Sequence, residues 1–290
     1  MAVSRFPPHP SALPCLRLAL SVVLAASAVQ AQTKASCTFN FFKPSGISRG
    51  VNDWGTTVGA VKFKAAIRYV GGGIVYYLPP GALVSSFVGR NNKGVTIGEY
   101  GDAAGNRHEF MLKGSTFTEI VIPKAVPNNT TVFGINKWNS TVGWYMGSDP
   151  TTAHGFKRYS NGGFIKLDYP FTKIPGLGQA TYPSAINDSG VVVGSYDEDT
   201  EGPEVHGFIY HNGQWATLDA PNALRTYLVG ISNAGVIVAQ TDYGASFLYS
   251  NGTFKLINVP NSDSTTVEEI SPGGLIVGHT LSQGFTAICH

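Results

Sequence analysis

The chain has 290 residues, 43% of them apolar and only 13% charged, roughly half the charged share usual in soluble proteins. Its 35 glycines and 11% aromatic residues suit a turn-rich β protein and exclude a coiled coil, a helical bundle or a charged disordered tail. The formal net charge is +2, without the Lys/Arg cluster that marks a nucleic-acid binder, so no nucleic-acid partner is expected.

Residues 1–31 contain Arg5 and Arg17 but no acid, then an apolar run from Leu18 to Val29 and the small-residue signature Val29-Gln30-Ala31. This predicts a secretory signal peptide cleaved near Ala31 and a secreted or periplasmic product. The run is too short to cross a bilayer, and no membrane span is expected in the rest of the chain. The remaining residues, 32–290, are predicted to form a single domain, with 18 basic residues against 18 acidic ones. They keep two cysteines, Cys37 and Cys289, an even pair that in an exported chain suggests a disulfide.

Two phrases recur along this domain. The first joins an apolar residue and Asn or Ser to a glycine-containing turn, then an apolar run and a closing small residue. Its copies begin at Asn52, Asn91, Asn136, Asn187, Ser232 and Ser271 and close at Gly59, Gly98, Gly143, Gly194, Ala239 and Gly278, with spacings of 39, 45, 51, 45 and 39. The second phrase is clearest as His206-Gly207-Phe208, then Asn212-Gly213, then a run ending at Pro221. Asn-Gly between two apolar runs is a strong hairpin signal, because both turn residues must take positive φ.

Each repeat therefore supplies about four short strands, the size of one propeller blade. The expected fold is an all-β, six-bladed β-propeller of four-stranded antiparallel blades, with blades near 45–80, 81–123, 124–170, 171–221, 222–260, and 261–290 plus 36–44. The sixth repeat stops after three strands, and the missing fourth is found at 37–44. Aligning Pro44 with Pro221 and Phe285 with Phe208 sets Cys37 and Cys289 on either side of the vacant hairpin turn. The expected ring is closed by this N-terminal outer strand joining the C-terminal blade, stapled by a Cys37–Cys289 disulfide.

The Gly-Ile-Asn-x-x-Gly-x-Val-Val-Gly phrase followed by His-Gly-Phe resembles the HAF repeat family of bacterial extracellular proteins. The likeness is strongest from Gly134 to Phe156 and from Ala185 to Phe208, while Ala65, Ala245 and Gln283 stand where those repeats have histidine. The resemblance implies an exported repeat protein with a propeller-like fold, and it implies no particular reaction.

In such a meander the tight turns lie on one face, and the connections that vary in length lie on the other. Variable loops on a rigid scaffold commonly carry binding. The ligand-binding residues expected there are Tyr100, Trp144, Tyr145, Tyr196 and Tyr243, whose rings can stack on sugars or side chains, together with Asp102, Asp197 and Asp199. Asp197, Asp199 and Glu201, followed by Gly202, alternate as calcium ligands do. The opposing reading is a solvated acidic loop, and otherwise no cofactor is expected. His108, His154 and His206 are equivalent by repeat, which points to a structural task such as hydrogen-bonding a neighbouring blade's loop. The chain lacks the signatures of serine hydrolases, zincins and phosphate loops, so no catalytic residue is assigned. The expected role is a monomeric module that binds an extracellular protein or glycan. The alternative is a carbohydrate-active hydrolase or lyase using carboxylates on the same face.

Overall fold

A computed structural model describes residues 33–149, 151–171, 178–199 and 202–290. The expected signal peptide at 1–31 and Glu201 of the acidic loop lie outside the described residues.

Strand β1 (Cys37–Phe42) precedes a short 3-10 turn at Ser45–Ile47. Then follow β2 (Gly50–Val51), β3 (Thr57–Val61), β4 (Lys64–Arg68) and β5 (Ile74–Tyr77), paired antiparallel in that order. The pattern repeats in β6 (Ala82–Arg90), β7 (Thr96–Asp102), β8 (Arg107–Lys113) and β9 (Thr116–Ile120), and again in β10 (Thr130–Ile135), β11 (Thr141–Met146), β12 (Ala153–Arg158) and β13 (Phe164–Lys166). Next come β14 (Ala180–Ile186), β15 (Val192–Asp197), β16 (His206–His211) and β17 (Gln214–Thr217), then β18 (Thr226–Ile231), β19 (Ile237–Thr241), β20 (Ser246–Ser250) and β21 (Thr253–Ile257). The last strands, β22 (Thr266–Ile270), β23 (Ile276–His279) and β24 (Gly284–Cys289), take β1 as their fourth partner. The fold is a β-propeller of antiparallel four-stranded blades.

Hydrogen bonding groups the strands into four sheets of four and one of eight, whereas the repeat spacing predicts six separate sheets. The difference arises at a parallel bridge, Ala153 to Ala180, between β12 and β14. Gly155 permits this approach, since a Cβ there would stand 2.3 Å from the Leu167 carbonyl oxygen and 2.8 Å from Pro183. The first strands touch in a closed cycle: β2 on β6, β6 on β10, β10 on β14, β14 on β18, β18 on β22, and β22 on β2. They therefore surround the axis.

The recurrent phrases each have a packing reason. The closing glycines pair across strands with the phenylalanine of the second phrase: Gly98 with Phe110, Gly143 with Phe156, Gly194 with Phe208 and Gly278 with Phe285. These rings are fully buried, and each fills the space its partner glycine leaves vacant. The turn asparagines are buried as well. In Asn136, Oδ1 accepts the backbone N–H groups of Trp138 and Ser140, and Nδ2 donates to the carbonyl of Asn187 in the next repeat. Asn91 donates likewise to Asn136, and Asn187 to Ser232. One side chain thus shapes its own turn and ties its repeat to the next, satisfying groups that would be costly to bury unpaired.

The expected closure is present. Strand β1 runs antiparallel to β24 with Cys37 opposite Cys289, and the two are joined by a disulfide with a Cα–Cα distance of 4.1 Å. Beyond β1, Ala35 and Thr33 exchange backbone hydrogen bonds with Leu256, so the N-terminal segment also grips the β18–β21 sheet. Among the described residues no helix is long and apolar enough to cross a membrane.

Candidate functional site

The first strands carry β-bulges at equivalent places. Pairing slips between Phe87 and Gly89, Val132 and Gly134, Pro183 and Ala185, Leu228 and Gly230, and Val267 and Glu269. The extra residues are Val88, Phe133, Ser184, Val229 and Glu268, each three positions before the turn Asn or Ser. Arg49 holds the corresponding place ahead of β2, and its N–H donates to Val58, the residue paired with Gly50. A bulge kinks its strand and re-aims one side chain. Here all six of these side chains line one axial cavity of about 330 Å3, joined by Trp144, Tyr182, Ser195, Tyr227, Leu228 and Glu269. First strands run from the variable-loop face toward the tight-turn face, so Tyr182 and Tyr227, two positions earlier, lie nearer the loop face.

Small residues normally follow the bulge: Gly50, Gly89, Gly134, Ala185 and Gly230. Neighbouring first strands come close there, as at Gly230, whose added Cβ would meet Ile270 N at 2.8 Å. The last copy instead has Glu269, whose Oε2 accepts the Val51 N–H at 2.7 Å across the β22–β2 seam. Enclosure by protein raises its pKa to about 8, against the opposing effect of the Val51 hydrogen bond. Burial raises Glu268 to about 6, with Arg49 pulling the other way. Glu268 Oε1 lies 3.3 Å from His279 Nδ1, and burial lowers the pKa of that histidine.

Arg49 faces Glu99 at 3.3 Å, and Glu99 also meets Arg107 at 2.5 Å. Arg107 in turn meets Glu109 at 3.1 Å. Burial raises Glu109 to about 8, although Arg107 opposes the shift. Glu99 and Arg107 also line a second cavity of about 630 Å3, with Phe63, Leu83, Val84, Tyr100 and Asp102. Phe63 and Lys62 form the β3–β4 turn with φ of 67° and 48°, values that favour glycine, and Phe63 is 75% exposed.

The sequence-expected site residues are distributed over several places. Tyr100 and Asp102 line the second cavity, and Trp144 lines the axial one. Tyr145 and Tyr196 are each only 4% exposed and pack inside their sheets, Tyr196 stacked on Tyr169 with ring centroids 3.7 Å apart. Tyr243 is 75% exposed on its loop. Asp102 is held well below the usual carboxylate range by hydrogen bonds from the Asn106 side chain and backbone and from His108. Asp197 is buried, which raises its pKa, and its Oδ1 accepts the Asp199 N–H. Among the described residues no group of three His, Cys, Asp or Glu side chains is placed to hold a metal.

The repeated histidines correct a detail of the sequence reading. Each bonds a carboxylate of its own blade instead of a neighbour's loop: His108 to Glu119 at 2.7 Å, His154 to Asp168 at 2.9 Å and His206 to Asp219 at 2.8 Å. Tyr100, Tyr145 and Tyr196 pair across from these histidines and pack on their rings. The third strand's neighbours are its own second and fourth strands, so a side chain at its start reaches the acid at the end of the fourth.

The axial residues Arg49, Phe133, Tyr182, Tyr227, Glu268 and Glu269 escape the sequence reading. For Arg49, Phe133 and Glu268 the signal is a column three places before the turn, reading Arg, Val, Phe, Ser, Val, Glu, beside columns that scarcely vary.

No protein-family model matches the chain, and no curated protein matches it. Among solved structures, it is similar to a streptogramin B lyase at 12% identity and a TM-score of 0.49, over 88% of this chain and 98% of that one. A mutant of AofleA from Arthrobotrys oligospora matches at 12% identity and 0.48, over 88% of each chain. The beta-propeller domain of the Trilobed protease from Pyrococcus furiosus matches at 9% identity and 0.43, over 86% of this chain and 79% of that one. The propeller assignment rests on the strand pairings, and nothing those proteins bind or do is carried over to this chain.

Proposed function

We propose that the chain is an exported propeller of HAF-type repeats that works as a binding module, seating its ligand at the loop-face mouth of the axial cavity. The observation that carries this reading is the cavity itself, built by one re-aimed side chain from each repeat. A bulge that served packing alone would have no reason to carry side chains as unlike as Phe133, Ser184 and Glu268. In this reading the ring has six blades. The closed cycle of first-strand contacts supports that count, with the eight-stranded sheet treated as two blades bridged at a single residue pair. Export of the mature chain after cleavage near Ala31 accords with the disulfide, since such bonds persist in oxidising compartments.

The test is a thermal-shift screen of the oxidised protein against soluble glycans, peptides and small metabolites, repeated on Val229→Trp. That substitution fills the cavity from a half-buried position. Ligands that stabilise the native chain and lose their effect in the variant support the axial seat. Ligands that stabilise both equally refute it.

A second reading has a specific observation behind it. Glu268 and Glu269 share one cavity and have pKa values raised to about 6 and about 8, the range in which carboxyl groups act as general acid or base near neutral pH. A hydrolase or lyase of extracellular carbohydrate would show turnover with an acidic limb near pH 6 that Glu268→Gln abolishes. Absence of turnover on a broad glycan panel leaves the binding module.

A further inference from the structure

The axial cavity, read above as the ligand seat, has two unlike halves. One is aromatic: Phe133 from β10, Trp144 from β11, Tyr182 from β14 and Tyr227 from β18. Trp144 and Tyr182 stand nearly perpendicular, with centroids 5.7 Å apart and planes at 89°. Phe133 stays 41% exposed although its strand lines the axis. The other half holds Glu268 and Glu269. Arg49, the one basic side chain in the lining, is engaged by Glu99 and by Ser86, both at 3.3 Å.

Aromatic faces carry negative quadrupole density and attract a cation most strongly where water is excluded. A carboxylate beside them adds a counter-charge. An uncharged ligand of the same shape would gain only contact with the rings. An anion would face the carboxyl groups of Glu268 and Glu269, and the lining's one guanidinium, Arg49, is already held by Glu99. We infer that the cavity binds a small organic cation, an ammonium group on a compact apolar body, held among Trp144, Tyr182 and Tyr227 with Glu268 as its counter-ion. The cavity volume of about 330 Å3 lies near the lower bound for small-molecule sites and suits a compact ligand better than a polymer. This inference rests on the axial-seat reading and specifies its ligand class.

Three probes of one shape test it by calorimetry on the oxidised chain: choline, the uncharged alcohol in which carbon replaces the choline nitrogen, and the carboxylate of that carbon skeleton. The expected result is saturable choline binding about tenfold tighter than that of the alcohol, with no measurable binding of the carboxylate. Glu268→Gln should weaken choline about tenfold and leave the alcohol unchanged, and Trp144→Leu should weaken both. The comparison of probes on the native chain needs no variant, so a variant that fails to fold does not remove the test. If the alcohol binds as tightly as choline, or the carboxylate binds more tightly, the cation assignment is overturned while the axial seat stands. If Val229→Trp leaves choline binding intact, the seat falls as well. If no probe binds, the cation assignment is overturned, and the thermal-shift screen alone decides the seat.

Discussion

At the scale of single residues, most of the recurring polar positions are committed to the backbone. Asn136 is 3% exposed and satisfies two N–H groups and one carbonyl at once. Replacing it with alanine strands all three, and Asn136→Ala should lower stability in urea melts by about 3 kcal/mol. Asn136→Ser should cost less, because Ser232 and Ser271 already do part of this work, their Oγ atoms accepting the N–H groups of Val236 and Leu275. Glu269 makes a different prediction. Its pKa rises from the usual 4.5 to about 8, so the folded chain holds a proton that the unfolded chain has lost in that interval. Stability from this group is complete below pH 4.5 and is lost as pH rises toward 8. Glu268 and Glu109 titrate in the same direction, so the comparison must be with Glu269→Gln. The variant's stability, measured in urea at several pH values, should fall less steeply over the interval than that of the native chain. Equal slopes would refute the proton at Glu269.

At the scale of strands, the repeat is legible because its fixed columns serve the backbone. A Cβ at Gly143 would lie 2.0 Å from the Thr131 carbonyl oxygen, where β10 bulges toward β11. Gly143→Ala should therefore destabilise the chain by about 1–3 kcal/mol in denaturant melts. The β18–β21 sheet carries Ala239 at this position, so there the strands have found room for a methyl group. Composition and turn chemistry therefore revealed strands, turns and the closing pair of ends. They did not reveal the axial cavity, because its lining consists of the positions the repeat leaves free. Arg49, Phe133 and Glu268 look unrelated as text and come to line one cavity only once the first strands stand around a common axis. The repeat spacing points to loops after the second strands, whereas Tyr100, Trp144 and Tyr196 lie within β7, β11 and β15 and reach three separate environments. Tyr and His recur at those strand ends because they pack on each other, which from spacing alone is indistinguishable from a rim of rings poised for a ligand.

At the scale of the whole molecule, the ring depends on its seam. The disulfide closes a loop of 252 residues, for which chain entropy gives about 5 kcal/mol of stabilisation. Cys37→Ser or Cys289→Ser should lower the urea midpoint accordingly, and the native chain should take up no alkylating agent at these two residues until it is reduced. Urea melts read the first outcome and intact-mass measurement the second. The seam is also held by Asp53, which accepts the Gly273 N–H at 2.6 Å and the Asn92 side chain at 2.6 Å. Asp53→Ala on a background lacking the disulfide should therefore cost more than it does with the disulfide intact, since each fastening then carries load the other had shared.

Of the strands described, the earliest to be synthesised, β1, is the partner of the latest, β24. While the ribosome works through the intervening repeats, β1 has no partner, and the nascent chain exposes a hydrogen-bonding edge at each end. A message truncated anywhere upstream of β24 would yield an open arc with Cys37 unpaired, distinguishable from the closed ring by that free thiol. Closure of the ring is thus recorded covalently in a single bond.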